Sequence, residues 1–416
     1  MAFNARQVGL CAAACAAVLV VGPAWSQGGP TTIPNGPYGD NGSVASLRTY
    51  DQMIKALESS AHASKGAAEL RYAPWTSNTG RKVPYMVIGR GPTAALIIAQ
   101  QHGDEMETSD SALNLVRTLV NNSRESQAIR AALTVVVVPR VNVDGFDGEK
   151  ADGTPITDAA GNVPPWRQNY DPRFTANPLP AFYARGRGYD INRYHAFRPE
   201  CPLDNPNYPN LTTGVVSCET KDIDTSGPYL VSEGNPVPEA KNIRWINDQF
   251  RPVVALDMHH QGTRVHDGQM VTASTLYPTA LDAATRLQAV DPNALARFTA
   301  GQTMAKRVVV LIAQTLAKYP YANLSRYPGG NEPGISRNAY GLLGSGSVLL
   351  ELRGGIGTKS GGYIQKIGYH ASMAIVEQLA RDPNLFAYPP EMADVLVVPA
   401  NGLPPSQGPG EEGDEE

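Results

Sequence analysis

"ALIIAQQHGDEMETSDSALNLV", residues 95–116, decides the fold and raises the question of function. Up to Ala99 the residues are apolar, as in a strand buried on both faces, and Ala112, Leu113, Leu115 and Val116 recur on one face of a helix. The join between the two is crowded with His102, Asp104, Glu105 and Glu107. Such a join is either an acid-rich first helical turn that favours the helix dipole or half of a metal site.

Outward from this stretch the same grammar repeats. "KVPYMVIG", "TAALIIAQ", "LTVVVVPRV", "PVVALDM" and "SVLLEL" are apolar runs of strand length. Helical patterns lie between them, around residues 106–120, 237–249, 295–318 and 362–381. "SVASLRTYDQMIKALESSAH" adds a helix with Ser43 as a possible cap. Alternating strands and helices with continuously apolar strands predict an α/β fold. It is a single domain over residues 44–386, its sheet covered on both faces. The region from about 147 to 235 is rich in Pro, Gly, Asn and Tyr and has little periodicity. Loops of that length in a compact domain are usually functional.

The ends read differently. Residues 1–26 have one Arg, an apolar stretch and a small-residue cleavage site, the pattern of an export signal. The alternative is a membrane anchor over Val8–Trp25, an Ala-rich run broken by Gly22 and Pro23. The expected location is therefore periplasmic or secreted, without stable membrane insertion after cleavage. Residues 27–43 read as a flexible linker, and 387–416 as an extension ending in a disordered acidic tail. Cleavage leaves Cys201 and Cys218 of the four cysteines, and in an exported chain that pair suggests one disulfide. The 416 residues are 42% hydrophobic and 18% charged with a formal net charge of -4, and no basic face points to nucleic acid.

His102 and Glu105 are three apart, so both can reach one point from a first helical turn. A catalytic zinc commonly takes two imidazoles and one carboxylate. "RPVVALDMHHQG" offers the second imidazole at the end of another apolar strand, as His259 or His260. A third strand, "GSVLLELRGG", ends in Glu351, where an unpaired carboxylate is costly. That acid is either paired with Arg353 or a general base whose pKa is tuned by its apolar setting. Open α/β sheets bind ligands beyond their strand ends, where all three motifs fall.

At this point the chain resembles the zinc metallocarboxypeptidases of the carboxypeptidase A and B type. "SLRTYDQMIKALESSA" is similar to the family's opening helix and "TSNTGRKVPYMVIG" to its GR-containing strand. "HGDE" looks like its H-x-x-E, "WRQN" like its arginine segment and "YDINRYH" like its D-x-N-R. "ALDMH" is similar to its third-ligand strand and "LLELRG" to its E-L-R, all in the family's order. The resemblance implies a mixed, largely parallel central sheet flanked by helices on both faces, and one zinc per chain, held by His102, Glu105 and His259, with Glu351 activating the water. It further implies Arg167 as oxyanion stabiliser, Asn192 and Arg193 as holders of the substrate's terminal carboxylate, and Asp190 as the partner that orients His102. His260 would then face a substrate subsite, and Tyr340 and Tyr327 both compete for the family's mobile tyrosine.

The implied activity is an exported zinc exopeptidase acting on peptides with a free C-terminal carboxylate. An amidohydrolase cutting N-acyl amino acids or murein peptides would use the same residues. A catalytically silent zinc or ligand-binding module would have no need of Glu351.

Overall fold

The computed structural model describes residues 48–148, 150, 152–157, 165, 167–171, 188–195, 235, 237–262, 264–266, 269–288, 291–319, 322–353 and 361–396. The expected signal, the linker, the acidic end of the tail, and Cys201 and Cys218 lie outside these residues.

The helices are α1 (Tyr50–Ala63), α2 (Met106–Leu119), α3 (Arg124–Ala132), α4 (Asp144–Asp147), α5 (Pro238–Phe250), α6 (Leu281–Leu287), α7 (Ala294–Leu316), α8 (Ser336–Leu342), α9 (Gly361–Arg381) and α10 (Ala393–Leu396). The strands are β1 (Ala68–Thr76), β2 (Lys82–Ile88), β3 (Thr93–Ala99), β4 (Leu133–Val138), β5 (Val254–Gln261), β6 (Arg264–His266), β7 (Gln269–Val271), β8 (Ala273–Leu276), β9 (Leu324–Arg326) and β10 (Gly346–Arg353). Eight of these form one sheet in the order β1-β2-β4-β3-β5-β10-β8-β9. Its four central strands, β4, β3, β5 and β10, run parallel, while β1, β2 and β8 join by antiparallel pairings. The sheet is thus mixed and largely parallel, as the resemblance implies, with helices on both faces, as the apolar strand runs predict.

Two cores follow from the period of the strands. Ile97, Leu256 and Leu350 point to the face covered by α2, α7 and α9, where they meet Leu115, Val309 and Ile375. Ile98, Ala255 and Val136 point to the other face and meet Ala240 and Ile243 of α5. Fully burying one such side chain contributes about 1.5–3 kcal/mol, so central strands apolar on both faces are what this layering demands. Chain past α9 joins the same body, since Ala393 of α10 belongs to the first core. Among the described residues no helix is long and apolar enough to cross a membrane.

The opening helix begins later than its apolar spacing predicts. Thr49 caps it: its hydroxyl accepts from the Gln52 amide and the Gln52 side chain accepts from the Thr49 amide at 3.0 Å. That reciprocal box satisfies two amides at once and fixes the start at Tyr50. β1 has no apolar run in "AELRYAPWT", because an edge strand paired only with β2 needs none.

Candidate metal centre

The C-terminal ends of β3, β5 and β10 lie side by side. Ala99 is opposite Met258, which is opposite Leu350, and the next pair is Glu351 with His259. The chain leaves β3 through Gln100, whose φ of 50° is the left-handed conformation that side-chain-bearing residues rarely adopt. Buried bonds enforce it. Gln100 Oε1 accepts from Arg140 Nε at 2.7 Å, and its Nε2 donates to the Gly103 carbonyl at 2.9 Å. This abrupt turn carries His102 and Glu105 across the end of β5 rather than along the sheet. Glu105 is the residue just before α2, yet its side chain makes no capping bond. The carboxylate turns inward instead, toward His102 and His259.

Three donor atoms converge there. His102 Nδ1 lies 2.6 Å from Glu105 Oε1, His259 Nδ1 lies 2.9 Å from Glu105 Oε2, and the two Nδ1 atoms are 3.1 Å apart. The outer nitrogens are equally committed: His102 Nε2 lies 3.0 Å from Asp190 Oδ1, and His259 Nε2 lies 2.9 Å from Asp257 Oδ2. An ionised carboxylate can only accept, so a cation held by the two Nδ1 atoms would leave each Nε2 its hydrogen to donate to Asp190 or Asp257. Two Nδ1 atoms 3.1 Å apart beside one carboxylate need positive charge among them, as protons or as a metal cation. The donor set, and the carboxylates that orient both rings, suit a catalytic zinc. Among the described residues this is the one such cluster of His, Cys, Asp and Glu.

The electrostatics agree. Burial works to raise the Glu105 carboxyl, but His102 and His259 outweigh it and hold the group well below the usual carboxylate range. Burial opposes charge on His259, yet Asp257 and Glu105 raise its pKa well above the ordinary value. Burial also works against ionised Asp190, and Arg167 followed by His102 overcomes it, so Asp190 stays ionised. The cluster is built to hold positive charge.

Around it the structure gathers most of the residues that the motifs single out. Arg167, Asn192, Arg193, His260, Tyr327 and Glu351 line one cleft together with His102. Asp190 organises the cleft wall, accepting from Arg167 Nε at 3.0 Å and from the Asn192 amide at 2.9 Å. That second bond caps the short 3-10 turn Ile191–Arg193 and points Asn192 and Arg193 together. His260, on the opposite face of β5 from His259, sits 3.5 Å from Glu107 Oε2.

Tyr340 is a correction. It is fully buried in the second core and its hydroxyl meets His195 Nδ1 at 2.7 Å, so it has no part in the cleft wall. The cause is its place on α8, whose inner face packs against the sheet. Of the two candidates, Tyr327 is the one that lines the cleft.

Sequence reasoning missed three contributors. Asp257 holds His259, and is itself held by Gln101 Nε2 at 2.7 Å and by the Ser336 hydroxyl. Arg337 lies in the cleft wall. For Asp257 a signal was present, since residues two apart on a strand share a face. Ser336 and Arg337 come from α8, which no periodic pattern announces.

With the geometry in view, the comparison with known families is direct: the model for the zinc carboxypeptidase family, Peptidase M14, matches residues 72–321, more than half of the chain. The chain belongs to the zinc carboxypeptidase family. It is thereby placed among hydrolases of the zinc-dependent metallocarboxypeptidase kind. No curated protein matches it significantly. Among solved structures, thrombin activatable fibrinolysis inhibitor is similar at 14% identity and a TM-score of 0.52, over 81% of this chain and 75% of that one. The bovine form of that protein, in complex with tick carboxypeptidase inhibitor, is similar at 15% identity and a TM-score of 0.52, over 80% and 96% of the two chains. Carboxypeptidase A from Helicoverpa armigera gives 17% identity and a TM-score of 0.52, over 80% and 73%. At such identities these likenesses establish the fold. The family match ends before Glu351, whose role therefore rests on its position beside His259.

Proposed function

We propose that this protein is an exported zinc metallocarboxypeptidase that removes the C-terminal residue of peptides, with Glu351 as its general base. The observation that carries the reading is the convergence of the His102–Glu105–His259 cluster with Glu351, Arg167, Asn192 and Arg193 at one cleft. His102, Glu105 and His259 would hold the zinc, which supplies Lewis acidity toward the scissile carbonyl and makes water more acidic.

The side chains divide the remaining work. Arg193 and Asn192 grip the terminal carboxylate, a task suited to the fork of a guanidinium. Arg167, its Nε anchored on Asp190, donates to the carbonyl oxygen as negative charge gathers there. Glu351 takes a proton from the attacking water as its oxygen bonds to the carbonyl carbon, then passes that proton to the departing amine as the C–N bond breaks. The 6% exposure of Glu351 supports this, because a mostly desolvated carboxylate is a stronger base than one in bulk water. Export rests on the N-terminal sequence, and N-terminal sequencing of the mature protein should begin at Gln27.

Glu351→Gln tests the mechanism. It keeps the volume and removes the proton acceptor, so zinc content should stay at one per chain while turnover falls roughly 100- to 10,000-fold. Loss of the metal, or near-normal turnover, would remove Glu351 from the role. Wild-type protein that binds zinc yet cleaves only N-acyl bonds would instead favour an amidohydrolase.

A further inference from the structure

The cleft carries more positive charge than the proposed reaction uses. Arg167, Arg193 and Arg337 all line it, against Glu351 as the one carboxylate among its described lining residues. Two of the three have an acid at hand: Arg167 contacts Asp190 at 3.0 Å, and Arg193 approaches the same group at 3.9 Å. Arg337 is placed differently. It is 2% exposed and, among the described residues, enters no ion pair. Its Nη2 donates to the Gly330 carbonyl, while Nε is buried with no acceptor. Burial brings its pKa down to about 10, with Glu332 and Glu351 acting on it from a distance, so it remains a cation at neutral pH.

A buried guanidinium with unmet donors is costly until an anion reaches it. Arg337 is one of the residues that line the cleft, where a bound ligand can meet it. A Cβ on Gly329 would come within 2.8 Å of Arg337 Nη2 and 3.1 Å of Cζ, so the absence of a side chain there lets the backbone pass close to the guanidinium. Arg193 repels Arg337 across the cleft, and two negative charges on one ligand would relieve that repulsion. Within the proposed function, Arg193 takes the terminal carboxylate and Arg167 the carbonyl oxygen. Arg337 is left over.

Resting on that proposed function, we infer that Arg337 receives a second carboxylate, carried on the side chain of the substrate's C-terminal residue. The chain therefore selects peptides ending in glutamate or aspartate. The neutral isostere glutamine offers the same shape without the charge and leaves the guanidinium unmatched.

Matched N-blocked dipeptides ending in Glu or Gln test this with the zinc-loaded full-length protein, alongside calorimetric binding of free glutamate and free glutamine. The wild type should favour Glu over Gln by about 10- to 100-fold in kcat/KM, the span of a charge-assisted pair. Arg337→Gln should collapse that ratio, and Arg337→Lys should keep part of it. A wild-type ratio near one, or a ratio that survives Arg337→Gln, overturns the inference. An equal loss on both substrates also overturns it, because it would place Arg337 on the terminal carboxylate. Should Arg337→Gln not fold, the wild-type preference and the calorimetry still decide. No turnover of either dipeptide would defeat the proposed function, whereas turnover without acid preference defeats only the role of Arg337. In the absence of turnover, equal binding of glutamate and glutamine rejects that role as well.

Discussion

Replacing Asp257 with Asn should weaken zinc binding without disturbing the fold. The carboxylate collects three donors through Oδ2: His259 Nε2 at 2.9 Å, Gln101 Nε2 at 2.7 Å, and the Ser336 hydroxyl. All of these donate, so Oδ2 must accept, and the negative charge strengthens each bond. The amide of the substituted side chain could present its oxygen to the same donors, which preserves volume and most of the packing. It could not supply the charge that raises the basicity of His259 and fixes its tautomer. Removing such a partner of a metal-bound histidine typically costs 10- to 100-fold in affinity, or about 1.4–2.7 kcal/mol. The assay is competition for zinc against a chromophoric chelator at fixed pH, with a circular dichroism spectrum to verify the fold. Wild-type affinity in a folded Asp257→Asn protein would refute the idea that this carboxylate orients His259. Loss of fold on substitution to Asn would show that Asp257 serves the core rather than the metal.

The remaining predictions concern the clamp, the buried acids and the loop. Arg193→Ala should mainly raise KM for substrates with a free terminal carboxylate, by the equivalent of roughly 1.5–3 kcal/mol. Amidated substrates should be poor for the wild type and little altered by that change, and equal cleavage of both by the wild type would reject an exopeptidase. Glu239 is fully buried, and burial, reinforced by Asp144, pushes its carboxyl up to about 8 despite the bond from Asn169 Nδ2 at 2.8 Å. The unfolded chain releases that proton near the ordinary value and the folded chain holds it, so this contribution to stability is full at low pH. It is lost as pH rises toward about 8, by at most about 1.4 kcal/mol per pH unit. Urea unfolding between these limits should therefore be flatter with pH in Glu239→Gln, and identical slopes would contradict the burial argument. Non-reducing peptide mapping of exported protein should join Cys201 to Cys218, and free thiols at both positions under oxidising conditions would end that expectation.

Legibility in the sequence followed the strength of the local physics. The strands that carry the site were readable because being buried on both faces makes them apolar without interruption, and a polar residue at their ends then stands out. His102, Glu105, His259 and Glu351 were visible for that reason. Arg167, Asn192 and Arg193 sit in a stretch without periodicity, and order among motifs rather than pattern singled them out. Tyr340 was misplaced because "GISRNAYGLLG" gives no sign of which side of a seven-residue helix meets the core. Asp257 lay in plain view two residues before His259, but the fact that its carboxylate would meet a ring nitrogen depends on rotamers that no spacing encodes. Arg337 was invisible as a site residue, since only tertiary packing brings α8 to the cleft.

The two ring nitrogens that face each other at 3.1 Å come from positions 157 residues apart in the chain. They meet only because β3 and β5 pair in parallel, and parallel pairing across such a separation closes a long loop before any contact rewards it. The three ligands therefore converge only once that pairing has formed, and a chain with the sheet unformed offers zinc one histidine and one glutamate from the first motif. Zinc bound at the finished site stabilises the native sheet as a whole, by RT ln(1 + [Zn]/Kd) when the unfolded chain has no affinity for it. A chelator therefore does more than silence the centre: it withdraws a fastening between two central strands, and should lower the unfolding temperature of parts of the sheet far from any ligand.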